Sequence, residues 1–175
     1  MPYDPNRHHR RSIRLHGYDY STPGAYFVTI CVHGRRDLFG VIVNGAMMQN
    51  SAGAMVNATW AALPQRLPTI RLDAFVVMPN HFHAIIVLDE ARPAAMPLGN
   101  IVGAFKSLTT NAYIRSVRES GWAPFDQRLW QRNYYEYVIR DDAGLMRIRN
   151  YIQMNPVSWN TDQLYSNATP NRFAD

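Results

Sequence analysis

Residues Ala25 to Val32 read Ala-Tyr-Phe-Val-Thr-Ile-Cys-Val. β-Branched and aromatic side chains fill the run almost without a break, which predicts a central β-strand. A sheet must therefore organise the fold. Other elements can be placed around that strand. Val41–Val43 predicts a short second strand. From Met47 to Leu63 the pattern is helical, with Met48, Ala52, Met55, Val56, Thr59 and Leu63 recurring every three or four residues, which predicts a helix ended by Pro64 and Pro68. Leu72–Met78 and His81–Leu88 are strand-like, with Pro79-Asn80 as a turn between them. A second helix is expected over Gly99–Val117, with Ile101, Phe105, Leu108 and Ala112 on one stripe. Trp130–Ile139 is aromatic and partly extended. Asp141 or Asp142 would cap a last helix that runs to Asn155, where Pro156 ends it. The order of elements predicts an α+β chain of the ferredoxin-like, split βαβ kind. An antiparallel sheet would carry helices on one face, followed by a C-terminal helix. One domain over 25–160 is expected, with a basic arm at 1–24 and a tail at 161–175.

Charge narrows the class of partner. Eighteen Lys and Arg face thirteen Asp and Glu, for a net charge of +5, and every basic residue but Lys106 is an arginine. This excess favours an anionic partner such as nucleic acid, although a solvated arginine-rich surface has the same composition. Arg10, Arg11 and Arg14 cluster in the arm and are candidate phosphate contacts. They are not followed by the apolar stretch of a secretory leader. No apolar run approaches the ~20 residues of a membrane span. A lone Cys31 excludes an intramolecular disulfide and a four-cysteine zinc site, and favours a cytosolic setting. A nucleic-acid partner would place the chain with the nucleoid.

Two small constellations could carry chemistry. In the strand His81-Phe82-His83, the two imidazoles share one face and Phe82 takes the other. The pair suits a shared metal ion, or two histidines packed on a sheet. In the last helix, Tyr151 and Asn155 stand one turn apart on one face. They could reach a site on the neighbouring sheet, or serve as a packing tyrosine and a helix cap. Lys106 is either a phosphate contact or a solvated charge. Arg128, Trp130, Arg132, Tyr134 and Tyr135 interleave basic and aromatic groups as single-strand-binding surfaces do, or divide into core aromatics and surface arginines.

Several further blocks run along the chain: Arg14-Leu15-His16-Gly17-Tyr18-Asp19-Tyr20, Gly24-Ala25-Tyr26-Phe27-Val28-Thr29, Met78-Pro79-Asn80-His81-Phe82-His83, Gly103-Ala104-Phe105-Lys106-Ser107, Leu129-Trp130-Gln131-Arg132-Asn133-Tyr134-Tyr135 and Asn150-Tyr151-Ile152-Gln153-Met154-Asn155-Pro156. In this order the chain resembles the REP-associated tyrosine transposases, which are single-tyrosine HUH endonucleases. The resemblance implies a transposase-like endonuclease and strand transferase acting on single-stranded DNA at hairpin-forming palindromic repeats. It implies that Tyr151 is the nucleophile, that a 5′-phosphotyrosine forms, and that His81 and His83 bind Mg²⁺ or Mn²⁺. Asn155 matches the position that completes the metal site. Members of this group act as monomers or homodimers. The alternative from another class is a ferredoxin-like nucleic-acid-binding module without catalysis, whose sheet aromatics would stack bases.

Overall fold

The structure, a computed structural model, describes residues 17–89 and 96–165. Arg10, Arg11 and Arg14 therefore lie outside the described residues. Four strands form one antiparallel sheet: β1 (Gly24–Cys31), β4 (Ile70–Val77), β5 (His81–Leu88) and β6 (Tyr135–Ile139). Their order is β4-β5-β1-β6. Counted among themselves in chain order and read from β6, this is 4-1-3-2, the split βαβ layout expected from the sequence.

The apolar run of β1 follows from its central place. Tyr26, Val28 and Ile30 are buried on one face, while Phe27 and Thr29 are buried on the other. The first face carries helices α1 (Ser51–Ala61) and α3 (Leu98–Ser120). Trp60, Phe82 and Phe105 meet there with ring centroids 4.8–5.0 Å apart. Contacts between aromatic rings add roughly 0.5–1.5 kcal/mol each beyond area burial. The second face carries helix α4 (Asp142–Met154), through Leu145, Ile148 and Ile152 on Phe27, Ile85 and Ile139. Asp141 caps α4, accepting from the Gly144 amide at 2.6 Å.

Two expectations need correction. Met47 and Met48 do not open a helix; they lie in β3 (Ala46–Gln49), which pairs with β2 (Gly40–Val43). Asn44 and Gly45, both at positive φ, form the two-residue turn between them, and Asn50 caps α1 only afterwards. Asn-Gly is a strong hairpin signal, and it outweighs the helical spacing of the methionines. Pro64 also does not end a helix. It sits in the first turn of a separate short helix, α2 (Leu63–Arg66), where its missing N–H has no partner to lose.

A bulge in β4 fixes how α4 lies. The register against β5 slips between Leu72 and Phe75. Asp73 at the slip takes a two-pronged contact from Arg149 of α4, with Nε at 2.8 Å and Nη2 at 2.6 Å. From its start beside Ile139, α4 thus crosses the face toward β4 and packs on β4 and β5.

Candidate active site

The face beneath α4 holds both histidines of the His-Phe-His triplet. His81 pairs across the sheet with Cys31, and His83 with Thr29. Both imidazoles are buried. Their centroids stand 4.5 Å apart.

Hydrogen bonds orient the rings. The Asn80 amide nitrogen donates to the carbonyls of Arg35 and Leu164, at 3.2 and 2.8 Å. Its oxygen is therefore the atom 2.9 Å from His81 Nδ1, and that nitrogen must carry the proton. His81 Nε2 is left with its lone pair, buried and, among the described residues, without a hydrogen-bond partner. A ring held through Nδ1 with Nε2 free is the arrangement of a metal-ligating histidine. His83 Nδ1 lies 2.8 Å from the Thr29 hydroxyl, so its Nε2 also faces the site. Burial is the main cause that lowers His81 to about 4, with the Asp162 carboxylate and then the nearby Asn155 side chain opposing it. Burial also holds His83 well below the usual range, and His81 adds to that effect. Both rings are neutral near pH 7.

Tyr151 and Asn155 project from the end of α4. The Tyr151 hydroxyl is 3.3 Å from His83 Nε2. Its ring packs edge-on against His83 and Phe27, and the residue remains 45% exposed. Burial, then the Asp162 charge, raises its phenol to about 12, and Asn155 pulls the other way. Asn155 is buried, and among the described residues its Oδ1 has no hydrogen-bond partner.

One residue was not foreseen. Asp162 falls in the segment read from sequence as tail, yet its carboxylate reaches the histidines. Donor atoms of His81, His83 and Asp162 lie within 4.8 Å of one another. Ligands at about 2.1 Å from one ion stand at most ~4.2 Å apart, so a small closure brings the three onto a cation. Asn155 Nδ2 donates to Asp162 Oδ2 at 3.0 Å, and the Leu164 amide donates to Oδ1 at 2.6 Å. Two neutral imidazole nitrogens, a carboxylate and a buried amide oxygen without a partner form a donor set that fits a divalent ion. The only sequence signal was an aspartate seven residues beyond Asn155.

The remaining candidates lie apart from this site. Lys106 Nζ donates to the carbonyls of Gln131, Arg132 and Asn133 at 2.9–3.2 Å, so it holds a loop together. Its ammonium is also 5.5 Å from the Tyr134 ring centroid, and burial lowers it to about 8. Trp130 is core and donates to Thr109. Arg128 and Arg132 line an open cleft of about 380 Å³ with Lys106, Asn111 and Gln127.

The neutral histidines set a pH dependence. In the metal-free chain, the folded state resists protonating His81 until about pH 4, while an unfolded histidine takes up its proton near 6.5. The unfolded state therefore binds more protons in this window, and stability falls as pH drops through it. Thermal melts in EDTA should show a falling midpoint from pH 7 to 4.5. In the double variant His81→Gln/His83→Gln the fall should be shallower. Parallel curves for the two proteins would contradict this.

Residues 65–155, which include both histidines, Tyr151 and Asn155, match the family model of the IS200-like transposases. An uncharacterized protein of Haemophilus influenzae is 41% identical over 181 residues, covering 93% of this chain and 97% of that protein. Among solved structures, a REP-associated tyrosine transposase bound to a REP hairpin superposes with a TM-score of 0.59 at 19% identity. The match covers 85% of this chain and 74% of the other. At that identity the likeness is one of fold.

Proposed function

The chain belongs to the IS200-like transposase family, and from that footing we propose that it cuts and rejoins single-stranded DNA through Tyr151. The observation that carries the reading is the Tyr151 hydroxyl 3.3 Å from His83 Nε2, beside the buried, unpartnered Nε2 of His81. A tyrosine that served only packing would not need an oriented imidazole at its hydroxyl, with a second imidazole and a carboxylate grouped beside that one.

His81, His83 and Asp162 would hold a divalent cation, Mg²⁺ or Mn²⁺, with the Asn155 amide oxygen as a further donor. When bound, such an ion supplies charge neutralisation at the scissile phosphate. Imidazole donors suit Mn²⁺ better than Mg²⁺. The Tyr151 oxygen attacks phosphorus and forms a 5′-phosphotyrosine, and the bond to the departing 3′ oxygen breaks. Where His83 holds the ion its lone pair would not be free to take the phenolic proton, which would leave to water at the half-exposed Tyr151. The 3′ oxygen takes up a proton as it departs. The reverse attack by a 3′-hydroxyl restores the phosphodiester and the tyrosine, so rejoining consumes no nucleotide. These residues all belong to one chain, so the reading needs no second copy.

The substrate class follows from the solved relative's REP hairpin and from this chain's charge. We infer a hairpin with a single-stranded flank, with Arg128 and Arg132 on its backbone and Arg10, Arg11 and Arg14 as further phosphate contacts. Lys106 would act by holding the 131–133 loop that carries Arg132. Replacing Arg128 and Arg132 with Ala should reduce the salt slope of binding by about 1 for each lost phosphate contact. An unchanged slope, measured by titration at several salt concentrations, would remove them from the DNA path.

The reading is tested by incubating the chain with a hairpin oligonucleotide and Mn²⁺, then resolving the mixture on a denaturing gel. A slowed protein–DNA band that EDTA prevents is expected. Free cleavage products with no covalent band would point to hydrolysis by water instead.

A further inference from the structure

Strand β6 carries two exposed tyrosines whose placement the cutting chemistry does not use. Tyr135 pairs with Thr29 and Tyr137 with Phe27. Directly opposed residues share a face of a sheet, so both tyrosines stand on the histidine face, in line with His83 and Phe27. Tyr135 is 48% exposed and Tyr137 44%. Large aromatic rings so placed on a sheet otherwise buried under a helix call for an explanation.

The lie of α4 leaves them open. Pinned by Arg149 to Asp73 at the far edge, α4 packs on β4 and β5. Among the described residues, nothing covers the β6 side of the same face where the two tyrosines stand. Tyr151 lies between the covered and uncovered halves. The Phe27 ring is 5.9 Å from that of Tyr151 and 6.4 Å from that of Tyr135. Both contacts are edge-to-face, so a row of aromatic rings joined through the buried Phe27 runs from the hydroxyl at the site out to the β6 edge, with the exposed rings of Tyr135 and Tyr137 as its open part. Arg147 is one turn before Tyr151 on α4, exposed, and on the same helix face.

We propose that this row of rings is the bed of the single strand entering the site. Bases next to the scissile phosphate stack on Tyr135 and Tyr137, and Arg147 faces the backbone. Unpaired bases are the occupant that fits. Stacking needs a flat π surface with open space above it, and it places the next phosphate at the end of the row, beside Tyr151. A paired stem has no exposed base faces except at its end, so the bed selects the flank rather than the hairpin. Sheet aromatics serve the same purpose in ferredoxin-like RNA binders. The inference rests on the cutting role proposed for Tyr151, but binding and cutting fail separately.

The test compares two hairpins by fluorescence anisotropy in EDTA, one with a single-stranded flank and one blunt. Tyr135→Ala/Tyr137→Ala should weaken the flanked hairpin roughly 5- to 100-fold for each stacked base lost. The blunt hairpin should change less than twofold. Tyr135→Phe/Tyr137→Phe should bind like the wild type, because the ring and not the hydroxyl is used. Unchanged affinity of the Ala variant for the flanked hairpin would overturn the proposal, as would an equal loss for both hairpins. A wild-type chain that forms no covalent band yet shows the flank-specific loss would retain the bed and refute the cutting role.

Discussion

Tyr151→Phe should bind flanked hairpin DNA within about twofold of the wild type and form no covalent adduct. Phenylalanine keeps the ring against Phe27 and His83. Only a half-exposed hydroxyl is lost, and a single hydrogen bond is worth a net ~1 kcal/mol. The fold should therefore survive with its melting midpoint almost unmoved. The rate should not, because loss of a covalent nucleophile costs on the order of 10⁶-fold. A residual adduct on a denaturing gel would show that another residue attacks. The contrast between unchanged binding and abolished chemistry is informative because Tyr151 lies at both the proposed bed and the proposed reacting centre.

His81→Ala/His83→Ala should abolish cleavage and metal binding together. Each change removes a nitrogen that faces the site: among the described residues His81 Nε2 has no hydrogen-bond partner, and His83 Nε2 has the Tyr151 hydroxyl. The phenol of Tyr151 is held near 12, so its phenolate is a trace species at neutral pH. Without charge neutralisation at the phosphate, attack by the neutral phenol is slow. The variant also leaves buried polar atoms of Asn80 and Thr29 without partners, which costs roughly 1–3 kcal/mol for each. Melting curves must accompany the assay. Calorimetry with Mn²⁺ should detect binding to the wild type and none to the double variant. Asp162→Ala should weaken Mn²⁺ roughly 10-fold or more while leaving both histidines in place. Wild-type Mn²⁺ affinity in Asp162→Ala would return the third position to Asn155 alone.

The sheet was legible in the sequence because its central strands are buried on both faces. β1 and β5 consist of long apolar runs, and only His81, His83 and Thr29 interrupt them with buried polar groups. The Asp141 cap and Pro156 bracketed α4 for a local reason, since each acts within one turn of the backbone. Met47 and Met48 misled because a two-stranded hairpin with exposed faces lacks a clean alternation, and the Asn44-Gly45 turn was the better guide. The triplet and the Tyr151–Asn155 spacing were visible, but their convergence was not. It depends on α4 crossing the sheet toward Asp73, a contact between residues 76 positions apart. Asp162 was hidden for a similar reason. It approaches His81 and His83 across some 80 residues, and it lies beyond the region that the family model matches. Tyr137 reads as one more aromatic in a strand, and nothing local tells which half of a face a helix will cover.

The central claim is that Tyr151 becomes linked to DNA. The most direct measurement is mass spectrometry of the adduct, after incubation with a flanked hairpin and Mn²⁺ and digestion of both protein and DNA. A phosphonucleotide on the peptide that contains Tyr151, absent in EDTA and in Tyr151→Phe, is the predicted result. Modification at any other tyrosine, or cut DNA with no modified peptide, would contradict it.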